Sequence, residues 1–490
     1  MPKKLKQKKQ SNRKDHHHKN YLSVIQMRSI AKKFHPILLI ILTLFCCDTI
    51  WAQIDKNITN LLLEKKIITQ READSLLVLD AFNQKANSEN KDFSIGLEFR
   101  PRAEYRDGYK QLPTKDTKAA FFVTQRSRLN FNYEQPKFKF HTSIQDLRVW
   151  GQYGQTSTSG SLNVFEAYVE TGISDHFSVK LGRQKVELDN GRIFSAANWS
   201  QAARAHDGIN LIYNNNSIHS ELITSFNQTS ERIFDTDFSP TTFTNYKLLN
   251  VHYLKAKLNE HFSLTTINAT DSYQSKTNAN TLYTRATSGG RLDFEKGKLH
   301  LTFSGYYQYG QLQSGNQISA YYLQPEIQLK SNKLTTRLGA EFMSGDNADK
   351  TTAISKSFVP LYGVAWRFMG NMDYFTFFPS DVKNGGLFNP YLFLIYDFNK
   401  KFSLRSDFHL FYSGNKVKND ANQTINSYLG FENDLSLHYQ CNSFTLIDFG
   451  FSYMAAEKSM ETLKSGNSNI TPVWSYVMVT FKPELFHFKK

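Results

Sequence analysis

Arginines recur on alternate positions in three stretches of the chain. Arg100, Arg102 and Arg106 do so in 99–106, Arg126 and Arg128 in 121–135, and Arg337 in 333–345. Glu98 and Glu104 share the first register, and Glu341 shares the last. A guanidinium is always charged in proteins and presents a planar fork of N–H donors that fits carboxylates. Rows of such groups attract anions, and interleaved carboxylates space the cations and stop a solute from sticking. Arg148, Arg183, Arg192, Arg204, Asp146 and Asp207 lie near the ends of neighbouring segments. Bracing is the competing use of the same residues. Arginines paired with Glu98, Glu104, Asp146, Glu166 or Asp207 would stiffen a wall whatever passes it.

Covalent chemistry has less support. The sequence holds no G-x-S-x-G, HExxH or CxxC, and no phosphate-cradling loop. His141, Ser143 and Asp146 are close in sequence, but nothing else marks a catalytic triad. In 344–350, Asp346 and Asp349 offer carboxylates to calcium without the full ligand spacing, which predicts a solvated loop. The chain is therefore expected to be no enzyme and to need no cofactor.

The elements that carry the arginines are strands. In 93–106, Phe93, Ile95, Leu97, Phe99 and Tyr105 fall on one parity, and the charged residues fall on the other. Successive side chains of a strand point to opposite faces, so one face is greasy and the other charged. Fourteen residues at about 3.3 Å each span about 45 Å, far beyond a typical soluble strand. Tilted by about 40°, such a strand crosses a bilayer's hydrocarbon layer. Arginine on a lipid face costs about 2–4 kcal/mol at the midplane, so these side chains belong on the water side of a closed barrel. In 121–135 the same division puts Arg126, Arg128, Asn130 and Asn132 opposite Leu129, Phe131 and Tyr133. In 138–150 the phase slips near Gln145 and Asp146, which predicts a bulge or a strand end.

Composition agrees. There are 39 Phe, 25 Tyr and 5 Trp in 490 residues, yet mean hydropathy is −0.48. Ile37 to Cys47 is the only sustained apolar run and is too short to span a membrane as a helix. Arg28, Lys32 and Lys33 precede it and Ala52 follows, the layout of a signal peptide cleaved after Ala52. Met27 is the expected start of that peptide. The leader holds 11 Lys/Arg and 2 Asp/Glu, so the formal +15 falls to +6 (48 against 42) beyond it. Nucleic acid is accordingly not an expected partner. Cys441 is the one cysteine beyond the leader, so no internal disulfide is available there.

Residues 53–85 have helical spacing of Leu and Ile, and Thr69 with Glu72 reads as a capping box opening a second helix. The expected organisation is a leader at 1–52, a periplasmic helical segment and linker at 53–92, and the barrel at 93–490. The helical segment is either a spacer or a contact for periplasmic export or peptidoglycan components. Beyond Phe93, strand-like segments alternate with short turns (NEHF, EKGK, KSNK, FNKK) and with long polar loops at 150–162, 228–244, 344–358, 414–428 and 456–471. Short turns at one end and long loops at the other describe an outer-membrane barrel. About 22 residues per strand and connection gives an all-β transmembrane antiparallel barrel of about 18 strands, 16 being nearly as good.

Several segments carry a family resemblance. They include FRPRAEYR (99–106), TQRSRLNF (124–131), IQDLRVWGQ (144–152), FEAYVE (165–170), LGRQKVELDNGRIF (181–194), ANWSQAARAHDGINL (197–211), LGAEFMSGD (338–346), SFVPLYGVAWRFMGNMDYF (357–375) and LRSDFHLFY (404–412). In order and spacing, they resemble the alginate-export family of outer-membrane porins. The resemblance implies a monomeric barrel with an electropositive constriction through which a polyuronate leaves the cell. By position it implies a pathway lined by Arg100, Arg102, Arg126, Arg128, Asp146, Arg148, Arg183, Arg192, Arg204 and Asp207. Arg337 and Glu341 join them from the strand parity. Two departures are the terminal Phe488-Lys489-Lys490 and the segment at 53–85. The reading is a passive channel for anionic polysaccharide or oligosaccharide, embedded in outer-membrane lipid. An uptake porin for small anions, a barrel-borne enzyme and a secreted soluble β-protein are the alternatives.

Overall fold

Twenty strands succeed one another from Asp92 to Lys489. They are β1 (Asp92–Asp107), β2 (Ala120–Gln135), β3 (Phe138–Val149), β4 (Asn163–Gly172), β5 (Phe177–Gln184), β6 (His206–Asn214), β7 (Ile218–Phe226), β8 (Leu248–Lys257), β9 (Phe262–Gln274), β10 (Leu282–Lys296), β11 (Leu299–Gln311), β12 (Gln317–Lys330), β13 (Leu334–Met343), β14 (Ile354–Ser355), β15 (Leu387–Asn399), β16 (Phe402–Ser413), β17 (Tyr428–Asn442), β18 (Thr445–Ala456), β19 (Val473–Phe481) and β20 (Glu484–Lys489). This is a computed structural model, and it describes residues 61–65, 68–69, 72, 91–157, 159–239, 245–350, 352–365 and 367–490. The expected signal peptide and most of the 53–92 segment lie outside the described residues. Within that segment Leu61–Glu64 is helical. Thr69 and Glu72 exchange both hydrogen bonds of the expected capping box, at 2.8 and 3.3 Å. Asn90–Lys490 forms a compact unit of its own.

Each long strand pairs antiparallel with the next, and β1 pairs with β2 on one side and with β19 and β20 on the other. The sheet is therefore closed and has no edge, which is what a lipid environment demands of a strand-built wall. β14 is only a two-residue addition beside β12, and β19 and β20 are two lengths of one stave. Twenty less those two leaves 18 staves, matching the expected number. The stave is interrupted at Lys482-Pro483, where proline has no N–H to give; its carbonyl still accepts from Leu97 N–H at 3.0 Å. β10 is the stave that strand periodicity did not reveal. Its middle reads TSGG, and Gly and Ser weaken the apolar signal.

Connections of two to four residues between neighbouring long strands fall at one end of the barrel, at 136–137, 297–298 and 443–444 among others. Aromatic pairs flank them: Tyr133 with Phe138 (6.3 Å), Phe177 with Tyr213 (4.8 Å), Phe262 with Phe294 (4.7 Å) and Phe398 with Phe402 (5.1 Å). Such rings make an interfacial girdle. Long loops occupy the opposite end, and two of them, 185–205 and 344–386, contribute to the interior core. Phe194, Phe358, Tyr362, Phe368, Met372 and Phe375 from these loops are all 3% exposed or less. They pack against inward residues of the wall such as Ile223, Val251, Ile267 and Tyr322. The expected greasy-outside, wet-inside division therefore holds along β1 and most of β2, whose exceptions are Phe122, which faces inward, and Gln125 and Ser127, which face outward. On β7–β12 part of the inner face is apolar and lies beneath the loops.

At the loop end, Asp349 accepts hydrogen bonds from Lys416 (3.0 Å), with Lys418 also at 3.0 Å, and these hold its carboxyl below the usual aspartate range. A depressed carboxylate stabilises above its unfolded pKa, about 4, and loses that contribution as pH falls through its folded value. The protection factor of the Ala348 amide, which donates to Lys416 O at 3.0 Å, is therefore expected to fall below about pH 4 relative to pH 7, each rate being referred to the unstructured amide at the same pH. Unchanged protection across that range would show that the ion pairs do not hold this loop.

Candidate functional site

Arg100, Arg102, Arg126 and Arg128 point inward from β1 and β2, as their parity requires, and none is more than 7% exposed. Cross-strand register sets Glu98 opposite Arg128 and Arg100 opposite Arg126. Glu98 consequently sits among four cations. Arg126 bonds it directly, and Arg100 (3.8 Å), Arg128 (3.9 Å) and Lys482 (3.9 Å) surround it. Glu104 takes Arg102 (2.9 Å), Arg106 (2.7 Å) and the Trp474 indole N–H (3.0 Å). Six cations on this wall thus face two carboxylates.

Most of their other donors go to the loop at 198–201, while Arg128 donates to Gln145 Oε1 and Arg126 Nε has no partner among the described residues. Arg100 donates to Asn198 O (2.9 Å), Trp199 O (3.1 Å) and Ser200 O (3.1 Å), and Arg126 to Ser200 O and Gln201 O (both 3.3 Å). A neutral carbonyl satisfies a guanidinium donor without cancelling its charge. The wall is therefore bonded and still electropositive. Below it opens a cavity of about 500 Å³, lined by Arg128, Asn130, His141, Lys185, Glu166 and Lys482 among others. Glu98, Glu166, Glu187 and Glu484 also reach this cavity, so its own lining is mixed in sign.

The rest of the interior is balanced. Arg285 pairs with Asp271 (2.5 Å), Arg291 with Asp293 (2.9 Å), Arg337 with Glu326 (2.7 Å) and Arg405 with Asp407 (2.6 Å). Arg337 points inward as expected, but its partner is Glu326 and not Glu341. Bracing describes this side of the barrel. Of these residues only Arg337 belonged to the predicted set; alternation in PEIQ and SLRSD could have found Glu326, Arg405 and Asp407.

Arg192 and Glu341, distant in sequence, meet in the core. Arg192 Nε donates to Glu341 Oε1 at 2.7 Å and Nη1 donates to Val364 O at 2.8 Å. Tyr322 Oη also donates to Glu341 Oε1, at 2.7 Å. Arg204 reaches over to Tyr362 O. Between these arginines the two loops pair backbone to backbone: Ser195 N–H donates to Tyr362 O (3.1 Å), Tyr362 N–H to Ile193 O (3.0 Å) and Val364 N–H to Gly191 O (3.1 Å). A Cβ at Gly363 would lie 1.8 Å from Arg192 O, so only glycine allows this approach. Farther round, Glu432 Oε1 accepts from Met372 N–H (2.8 Å) and Asp434 Oδ2 from Asn371 N–H (3.1 Å), docking the second loop on β17.

Four residues of the predicted pathway are not on the inner face. Asp146 and Arg148 pair with Ser127 and Gln125 of β2, on the outward parity of Leu129 and Ile144. The expected phase slip is real but lies elsewhere. β3 stays in phase with β2 through Val149, and the register shift is against β4, at Ser143/Ile144. Arg183 and Asp207 oppose each other two residues from Leu181 and Ile209, which are 45% and 48% exposed on the outer surface. Arg148 donates to Asp146 (2.6 Å) and Arg183 to Asp207 (2.8 Å). These pairs sit at the loop ends of their strands, where a lipid-facing charge costs only about 0–1 kcal/mol. Replacing Arg148 or Arg183 by glutamine is therefore expected to leave ion selectivity in planar bilayers unchanged; a shift as large as that from an inward arginine would return them to the pathway.

The SGDNADK loop also uses its carboxylates internally. Asp346 accepts from Lys356 N–H (2.6 Å) and from the Ser355 and Ser357 hydroxyls, and Asp349 is held by the lysines above. Among the described residues no group of three or more His, Cys, Asp or Glu side chains is placed to hold a metal.

A model of the alginate export family matches residues 91–456. The chain belongs to the alginate export family. It is an outer-membrane β-barrel of porin type. The match ends before β19 and β20, yet these strands close the barrel. Similar solved structures include OccAB1 of Acinetobacter baumannii (13% identity, TM-score 0.57, covering 80% of this chain and 97% of that one). OpdL of Pseudomonas aeruginosa is comparable (12%, TM-score 0.55, 80% and 99%). So is OccK2 (OpdF) of the same organism in complex with glucuronate (13%, TM-score 0.53, 80% and 98%). At such identities the likeness concerns the fold. No curated protein matches the chain. In this member of the alginate export family, the arginines of β1 and β2 and the two inward loops make the centre of the barrel.

Proposed function

We propose that this chain is a passive channel for anionic saccharides, with Arg100, Arg102, Arg126 and Arg128 as the wall that attracts them. The observation behind this reading is the six-to-two excess of cations over carboxylates on β1, β2 and Lys482, with several of their donors satisfied by neutral carbonyls. An anion approaching that wall gains Coulomb energy from the cationic excess that Glu98 and Glu104 leave uncompensated. The family's description supports an alginate-like polyuronate moving outward. No cofactor enters the scheme, because a gradient suffices to drive the flow, and a monomer is enough to form the channel.

One observation favours a smaller cargo. The interior holds two packed loops, so a long polymer needs them to move, whereas a mono- or disaccharide needs less room. Planar-bilayer currents separate the readings. Block by oligouronate at concentrations where inorganic phosphate has no effect supports a saccharide channel. Equal block by phosphate supports a small-anion porin, and indifference to both refutes an anionic cargo.

A further inference from the structure

The outer surface carries a feature that conduction does not use. Near the loop end of β12, β13, β15 and β16 lies a groove of about 600 Å³. Tyr321, Phe342, Phe388 and Tyr412 line it, all on the outward parity of their strands. Phe342 and Phe388 stack at 4.3 Å, with Tyr412 5.9 Å from Phe388. Lys356 lies on the groove as well. β14 pairs in parallel with β12, placing Ser355 beside inward Ile318. Alternation therefore turns Lys356 outward, on the face of Ser319 and Tyr321.

Several other cations of this end are paired with carboxylates. Arg148 and Arg183 hold aspartates, Lys383 holds Asp420 (3.2 Å), and Lys416 and Lys418 hold Asp349. Among the described residues no carboxylate lies in ion-pair range of the Lys356 ammonium. Its neighbour Asp346 is engaged by the Lys356 backbone N–H and by two serine hydroxyls. The groove thus offers an open aromatic surface with one uncompensated cation beside it, at the membrane's outer interface. That arrangement is complementary to an amphiphile with an anionic head.

We propose that the groove holds a phosphorylated lipid of the outer leaflet, its phosphate on the Lys356 ammonium and an acyl chain along Tyr321, Phe342, Phe388 and Tyr412. The test uses the full chain purified in neutral detergent and native mass spectrometry with added diphosphoryl lipid A. A one-to-one adduct is expected. Lys356→Gln should lower its occupancy about fivefold, while Lys356→Arg keeps it. A lipid A stripped of both phosphates should bind as weakly to the wild-type protein as the phosphorylated form does to Lys356→Gln. The proposal is overturned if wild-type protein forms no adduct, if Lys356→Gln binds as well as wild type, or if the phosphate-free lipid binds equally. Since Lys356 lies on the outer wall, circular dichroism and heat-modifiable migration of both variants should equal those of wild type, and a loss of lipid then reports the site itself.

Discussion

Arg192→Ala is expected to undock the two inward loops and to raise single-channel conductance. Arg192 is 1% exposed, bonds Glu341 at 2.7 Å and donates to Val364 O, so it fastens one loop to β13 and to the other loop at once. Removing one partner of a buried ion pair leaves the other charge desolvated and unpaired, which costs about 3–5 kcal/mol. Glu341 would keep only the Tyr322 hydroxyl. The wall itself, with its closed ladder, should survive, so the loss falls on the loops. Larger and noisier open currents, with the barrel still migrating as folded, are the expected readout. Glu341→Gln should act in the same direction but less strongly, because the amide oxygen can still accept from Arg192. Conductance and thermal stability equal to wild type in Arg192→Ala would mean that the loop contact, and not this pair, holds the interior closed.

Neutralising Arg100 and Arg128 together is expected to remove most of the anion preference. A unit charge about 8 Å from a passing ion in a watery lumen contributes about 0.5 kcal/mol, a factor of about 2 in relative permeability. Two such charges give about a fivefold fall, and more where the path is drier. Glutamine keeps donors for the Asn198, Ser200 and Gln145 contacts, so the double variant tests charge more than packing. Arg126 is the poorer choice, since it is fully buried against Glu98 and its loss would take away that carboxylate's direct hydrogen bond. Reversal potentials in a salt gradient measure the ratio. A double variant with the wild-type ratio would assign Arg100 and Arg128 to bracing alone.

Sidedness was the part of the structure most legible in the sequence. Phe93 to Arg106 alternates without interruption, and the side chains of Glu98, Arg100, Arg102 and Glu104 are buried on the inner face as that alternation demands. The same rule would have excluded Asp207, which shares parity with Ile209 and Leu211. It was the family's ordering of motifs, which carries position but not face, that drew Asp207 and Arg183 into the pathway. Asp146 and Arg148 went astray for a different reason. A slip in hydrophobic phase shows that a bulge exists but not which strand of a pair bears it, and here the irregularity lies against β4. The inward loops were illegible because 185–205 and 344–386 have no periodicity to read. Their position follows from Arg192 meeting Glu341 and from Tyr362 meeting Ile193 and Ser195, contacts between residues about 150 or more apart in the chain. The one-to-one pairs of β9–β16 lay in strands whose parity was readable, apart from β10, but nothing in composition separates a bracing arginine from a conducting one.

The most direct test of the account is the reversal potential of the wild-type protein in a planar bilayer under a tenfold potassium chloride gradient. An excess of inner-wall cations predicts that chloride passes more readily than potassium, with the preference shrinking at high salt as screening shortens the reach of the arginines. A potassium-selective pore, or one with no preference at low salt, would contradict it.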